Sequence, residues 1–352
     1  VKSIAYEKYT EATASRFIKI LEKNNLIRPS QIISPIINLL EKKQDLVEIS
    51  RIETQSSFNS ELKRVISILL DTPLLLKIIE LCPMPNIVFE ILLRRLRKAF
   101  LLHDNLEMPN DNYLALQCSL ALHCFTNEYI YGEDKEETQK LKQLEKFISD
   151  ALAEDEIPPW RHIACIASYR PLNNFNWSRN LTVPVHMASL FLRQVHNIDW
   201  EVYLRDSIPT IGIIKEDTSL AVKDQYEDSP YPRWVNIGIL QKSMTIPEIA
   251  NLAGIQTLPS EFDASNQPEI LVAGCGTGQH SIEAAVRYAN AHITAIDLSL
   301  SSLSFASRRT KELNIKNIKY LHGDILDLTS LKTEFDVIET TGVLHHMSDP
   351  ML

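Results

Sequence analysis

Residues 270–285, ILVAGCGTGQHSIEAA, join an apolar run to a glycine cluster and then to a segment of helical periodicity. Gly274, Gly276 and Gly278 are spaced G-x-G-x-G. Glycines at this density let a ligand approach the backbone and permit turns at positive φ. A helix starting behind them offers unpaired N–H groups and the positive end of its dipole. Two carboxylates follow. Asp297 closes the run HITAID, nineteen residues after Gly278 (297 − 278), and Asp324 closes IKYLHGD. A carboxylate in the first position can accept from both hydroxyls of a ribose. One in the second can accept from an adenine amino group, with Leu298 and Ile325 on either face of the base. The plainer role for both aspartates is helix N-capping. Three such signals in succession favour a ligand.

The spacing also narrows the ligand. The dinucleotide fingerprint G-x-G-x-x-G needs glycine or alanine at position 279, which here is Gln279. The tighter spacing suits a nucleoside carrying a short tail better than one carrying a pyrophosphate.

These residues need a scaffold, and the pattern around them supplies one. Strand-like EILVAG, helix-like GQHSIEAAVRYAN, strand-like HITAID, helix-like LSSLSFASRRTKELN, then IKYLHG and FDVIET alternate in the manner of βαβ units. The expected architecture is a parallel α/β sheet of about four strands, with ligands beyond the carboxyl ends of the strands. The first ~200 residues read instead as all-α. SFNSELKRVISILL places Phe58, Leu62, Val65, Ile66 and Leu69 on one helical face. NIVFEILLRRLRKAFLL starts after Asn86, a capping residue, and NYLALQCSLALHCFTNEYI is apolar nearly all round, the mark of a central buried helix. EETQKLKQLEKFISDAL is amphipathic through Leu141, Leu144, Ile148 and Ala151. No 34-residue repeat emerges. The expected boundaries are a helical domain over 1–205, a connecting or lid segment with YEDSPYPRW over 206–265, and the α/β domain over 266–352.

Composition excludes several classes. A net charge of −9 argues against broad nucleic-acid binding. Five cysteines, an odd number with no C-x-x-C pair, fit a reducing cytoplasm better than a disulfide framework. No stretch approaches the ~20 apolar residues of a membrane span. The chain begins with Val1 and stops at HHMSDPML, which reads as a piece of a longer protein.

ILVAGCGTGQ, AIDLS, HGDI and FDVIETTGVLHHMSDP resemble the successive motifs of class I S-adenosylmethionine-dependent methyltransferases. The stretches DQYEDSPYPRW and CSLALHCFTNEYIYGEDKEE are similar to a bacterial group in which this domain follows a helical, often tetratricopeptide-bearing, region. The resemblance implies a Rossmann-like domain using S-adenosyl-L-methionine, with Gly274, Gly276 and Gly278 along its methionine and ribose, Asp297 on the ribose hydroxyls and Asp324 on the adenine. The resemblance does not identify the acceptor; the net charge of −9 favours a protein or small molecule over nucleic acid, and the helical region is a candidate for recruiting a substrate or protein partner. Two other readings stay open: a non-catalytic scaffold that senses the cofactor, and an NAD-dependent oxidoreductase, which Gln279 disfavours. The family's sheet has seven strands, so a chain ending at Leu352 is expected to turn over poorly and to leave its fourth strand as an exposed edge.

One position departs from the family pattern. Many relatives carry an acid where this chain has Val272. The intact glycines and aspartates favour replacement of that acid over decay, and YPRW offers Arg233 for the cofactor carboxylate and Tyr231 as a cover. An interdomain apolar seam is the competing role for those aromatics. His345 and His346 are adjacent in an extended stretch, point to opposite sides and read as structural. Cys275 lacks a placed histidine partner and reads as a small loop residue. His123 reads as buried and hydrogen-bonded. The run Arg94, Arg95, Arg97 and Lys98 reads as a solvated helix face.

Overall fold

The computed structural model describes residues 5–23, 25–103, 111–212, 226–227, 230, 232–239, 242–255 and 267–344. Two compact units emerge, Val1–Ile198 with Trp234–Gly238, and Asp199–Arg233 with Ile239–Leu352. Tyr231, His345, His346 and the stretch 256–266 lie outside the described residues. Among the described residues, no helix is long and apolar enough to cross a membrane.

Among the described residues the first unit is built of helices and the turns between them, without a strand, as its periodicity predicts. Asn86 accepts from the amides of Val88 and Phe89 at 3.1 Å each and starts the helix Ile87–Leu102. The helix Asp111–Thr126 is buried continuously from Leu116 to Thr126, so it is central. Within it His123 is fully buried, with Nε2 2.9 Å from the Tyr131 hydroxyl. The stretch SFNSELKRVISILL forms two helices, Gln55–Ser60 and Leu62–Leu70, because Glu61 leaves helical geometry (φ −100°, ψ 8°). Phe58, Leu62, Val65, Ile66 and Leu69, the five positions of the apolar face, are all buried nonetheless.

The basic run differs from expectation. Arg94 is exposed, but Arg97 is only 2% accessible. Its guanidinium meets Glu137 Oε1 at 3.2 Å and the carbonyls of Tyr131 and Gly132 at 3.1 and 2.8 Å. It also lies 4.0 Å from the Tyr169 ring centroid. Four basic residues spread over five helical positions cannot share one face, since each step turns about 100°. The inward one persists because its charge is paired with Glu137 and its guanidinium donates to two backbone carbonyls.

The second unit contains the four strands that the alternation predicts: β1 Glu269–Ala273, β2 His292–Asp297, β3 Ile318–His322 and β4 Val337–Thr340. All pair in parallel, in the order β3-β2-β1-β4. Two crossover helices, Gln279–Arg287 and Leu300–Glu312, link β1 to β2 and β2 to β3. One face of the sheet packs Ile270, Val272, Ile293 and Ala295 against Ala284, Ala285, Leu303 and Ala306 of those helices. On the other face Leu271, Ala273, Ile296 and Leu321 meet Ile211, Ile325, Leu328 and Phe335. Alternating side-chain direction along each strand divides the two sets. The outer edge of β3 is partly covered: the His322 amide donates to the Pro209 carbonyl at 2.9 Å, and the Ile211 amide to the His322 carbonyl at 2.8 Å.

The strand order matters most for function. The chain steps outward from β1 to β2 to β3 and then returns to the opposite side of β1 to form β4. Strand order therefore reverses between β1 and β4, and in open α/β sheets ligands bind beyond the carboxyl ends of the strands at such a reversal.

Candidate functional site

The glycine loop sits at that reversal. Gly274, Gly276 and Gly278 have φ of +73°, +51° and +83°, a region that L side chains rarely adopt. Each has a different reason to be glycine. A Cβ on Gly274 would collide with the Val343 side chain, which follows β4. A Cβ on Gly278 would lie 2.5 Å from the Ala306 Cβ of the second crossover helix. A Cβ on Gly276 would meet nothing within 4 Å. Two glycines therefore serve packing, and the third faces open space beside the loop. The amides of Gly274 and Cys275 both donate to the Ile296 carbonyl, at 2.9 and 3.0 Å, which ties the loop to the end of β2.

Asp297 ends β2 directly beside this loop. Its Oδ2 accepts from the Gly276 amide at 2.7 Å and its Oδ1 from the Ser299 amide at 3.0 Å. Burial raises its carboxyl above the usual aspartate value, against the amides of Ser299, Gly276 and Leu298, and the nearby Glu227 charge adds to the rise. A carboxylate has about four acceptor sites, so room remains for further donors on an anion that lacks full solvation. Two vicinal hydroxyls would supply that compensation.

Asp324 follows β3 and is 5% accessible. Its Oδ1 accepts from the Leu326 amide at 3.0 Å and caps the short 3-10 turn Ile325–Leu331. The Gly323 amide between them donates to the Asp297 carbonyl at 3.0 Å, so the two acidic tips are linked through the backbone. The cap engages Oδ1 only, so it does not use up the acceptor capacity of the carboxylate. Ile325 packs against the sheet face of Leu271 and Ala273, whereas the Leu298 carbonyl faces His322 Nε2 at 3.0 Å.

Glu227 was not legible as a participant. Its Oε2 accepts from the Ser299 hydroxyl at 3.2 Å and the Ser301 amide at 3.1 Å, and its Oε1 pairs with Arg205 at 2.9 Å. It thus places a second acid at the start of the helix Leu300–Glu312, where the dipole favours negative charge. The only sequence signal is its place in YEDSPYPRW. Arg233 from the same segment is engaged with Glu201 at 3.3 Å and lies 5.9 Å from the Phe305 ring centroid. Cys275 is buried, which pushes its thiol well above the usual value and leaves it protonated and unsuited to nucleophilic attack.

Residues 265–352 match the family model of a methyltransferase domain. An uncharacterized protein of a Synechococcus strain is 40% identical over 85 residues, 24% of this chain and 20% of that protein. Malonyl-(acyl-carrier protein) O-methyltransferase of Bacillus anthracis is 29% identical over 126 residues, 33% of this chain and 45% of that enzyme. A tRNA (guanine-N(7)-)-methyltransferase of Rubrobacter xylanophilus is 33% identical over 84 residues, 24% of this chain and 37% of that enzyme. In each case the chain spans well under two thirds of the relative's own length. With the parallel sheet, the glycine loop at the strand reversal and two acidic strand tips, these matches make residues 265–352 a class I methyltransferase domain.

Proposed function

We propose that this domain binds S-adenosyl-L-methionine at the reversal between β1 and β4 and directs its methyl group to an acceptor. One observation carries the reading: a glycine loop with an open position at Gly276 lies hydrogen-bonded to Asp297, and Asp324 follows the neighbouring strand two residues past its end. Asp297 would hold the ribose hydroxyls and Asp324 the adenine amino group. The backbone around Gly274, Gly276 and Gly278 would lie along the ribose and methionine. The residues present fit such a group, since Gly276 leaves space that a side chain would fill and Asp297 retains acceptor capacity.

The bound cofactor supplies a methyl on a positively charged sulfur that is already a good leaving group. The chain's task is therefore alignment and exclusion of water rather than activation. A general base is needed only where the acceptor carries a proton at the reacting atom. The acceptor class is not set by this region. One relative is named as a malonyl-(acyl-carrier protein) O-methyltransferase and another as a tRNA (guanine-N(7)-)-methyltransferase, two different acceptor classes. The net charge of −9 favours a protein or small-molecule acceptor, with the helical unit as its recruiter.

Isothermal titration with S-adenosylhomocysteine and with NAD tests the reading. Saturable binding of the first, with the second at least about a hundredfold weaker (near 2.7 kcal/mol), is expected. Equal affinities, or tighter NAD binding, would remove it.

A further inference from the structure

Glu339 on β4 is the register partner of Val272 on β1, so their side chains leave the sheet on the same face. Val272 is fully buried and can make no polar contact. Its neighbour is the centre of a polar cluster. Glu339 Oε2 meets His280 Nε2 at 2.7 Å and Arg287 at 2.6 Å. Its Oε1 meets Arg287 at 2.5 Å and the Tyr288 hydroxyl at 2.8 Å. These partners stand at i, i+7 and i+8 and so share one face of the helix Gln279–Arg287 and its cap. Burial alone would raise the Glu339 carboxyl; the bonds from His280 and Tyr288 and the Arg287 charge outweigh it and hold the carboxyl below the usual range.

Four contacts saturate a carboxylate, and Arg287 balances its charge. Glu339 is therefore not itself a ligand contact. Its orienting effect falls on His280, the second residue of the helix that begins at the glycine loop. The His280 side chain is 26% accessible. In the tautomer whose Nε2–H donates to the carboxylate, Nδ1 is an acceptor, in the way that carboxylate partners fix imidazole tautomers elsewhere.

We propose that Glu339 is a positioning residue that fixes His280 beside the glycine loop, so that His280 Nδ1 accepts from the cationic amino group at the amino-acid end of the cofactor. This rests on the cofactor reading above. It gives that end of the ligand a polar partner on a strand and helix where Val272 offers none.

The test compares two ligands on the full chain by isothermal titration. S-adenosylhomocysteine carries the amino-acid tail; 5′-methylthioadenosine has the same nucleoside and a thioether but no amino acid. In Glu339→Gln and in His280→Phe, affinity for S-adenosylhomocysteine should fall at least about tenfold, with methylthioadenosine affinity changing less than about twofold. Because Glu339→Gln leaves the Arg287 charge less well paired and so weakens folding, the part-exposed His280→Phe is the decisive variant. Parallel losses for both ligands would reduce the cluster to a structural clamp and overturn the proposal. Unchanged affinities would overturn it while leaving the cofactor reading intact. A wild-type chain that binds neither ligand would remove the cofactor reading, and this one with it.

Discussion

Asp297→Ala is expected to weaken S-adenosylhomocysteine binding by about a hundredfold or more, near 2.7 kcal/mol, with the folded structure retained. The carboxylate is bound to the loop through Gly276 and to the next helix through Ser299, at 2.7 and 3.0 Å. It is also held with part of its solvation removed, which raises its titration above the ordinary aspartate value. Bonds from two hydroxyls to a charged group in such a setting contribute about 1.5–3 kcal/mol each, less what water would have supplied. The pH dependence follows the same sign. Protonation turns an acceptor into a competing donor, so affinity in the wild-type chain should fall on acidification, starting at a higher pH than for a solvent-exposed aspartate. Isothermal titration across pH checks both statements. Wild-type affinity in Asp297→Ala would leave Asp297 a structural cap.

Gly278→Ala acts on folding first. The residue has φ +83° and caps the helix Gln279–Arg287. An L residue in the left-handed region costs about 1–2 kcal/mol. The new Cβ would also sit 2.5 Å from the Ala306 Cβ and 3.1 Å from the Tyr320 hydroxyl, both in the packed interior of the sheet unit. Relief by backbone shifts costs about a further 1–3 kcal/mol. A loss near 3 kcal/mol, read as a lower urea midpoint at unchanged slope, is the expected result. Gly276→Ala is the contrast. With nothing within 4 Å of its Cβ, it should show only the backbone cost, about 1–2 kcal/mol. Similar losses for both would mean that the Ala306 contact does not limit the site.

Much of this was legible from the sequence, for identifiable reasons. The strand HITAID was read to the residue, because β-branched and apolar positions alternate up to a polar tip at Asp297. Asn86 announced its helix through its capping chemistry. The glycine spacing marked a loop with positive φ, and all three glycines have it. What escaped reading depends on non-local geometry. Glu61 interrupts a continuous helical pattern without a glycine or proline to mark the break. Arg97 faces the core because Glu137, forty positions away, is there to receive it. The Glu227 contacts to Ser299 and Ser301 join residues more than seventy positions apart. The side-by-side placement of Val272 and Glu339 follows from β4 returning to the free edge of β1, and nothing local to either strand encodes that return. The departure at Val272 was visible; the acid next to it in the sheet was not.

A crystal structure of the chain with S-adenosylhomocysteine bound is the most direct measurement of the central claim. Asp297 should contact both ribose hydroxyls and Asp324 the adenine amino group, with the amino-acid tail running along Gly274, Gly276 and Gly278. A ligand bound elsewhere, or at this strand reversal with both carboxylates turned away from its sugar and base, would contradict it.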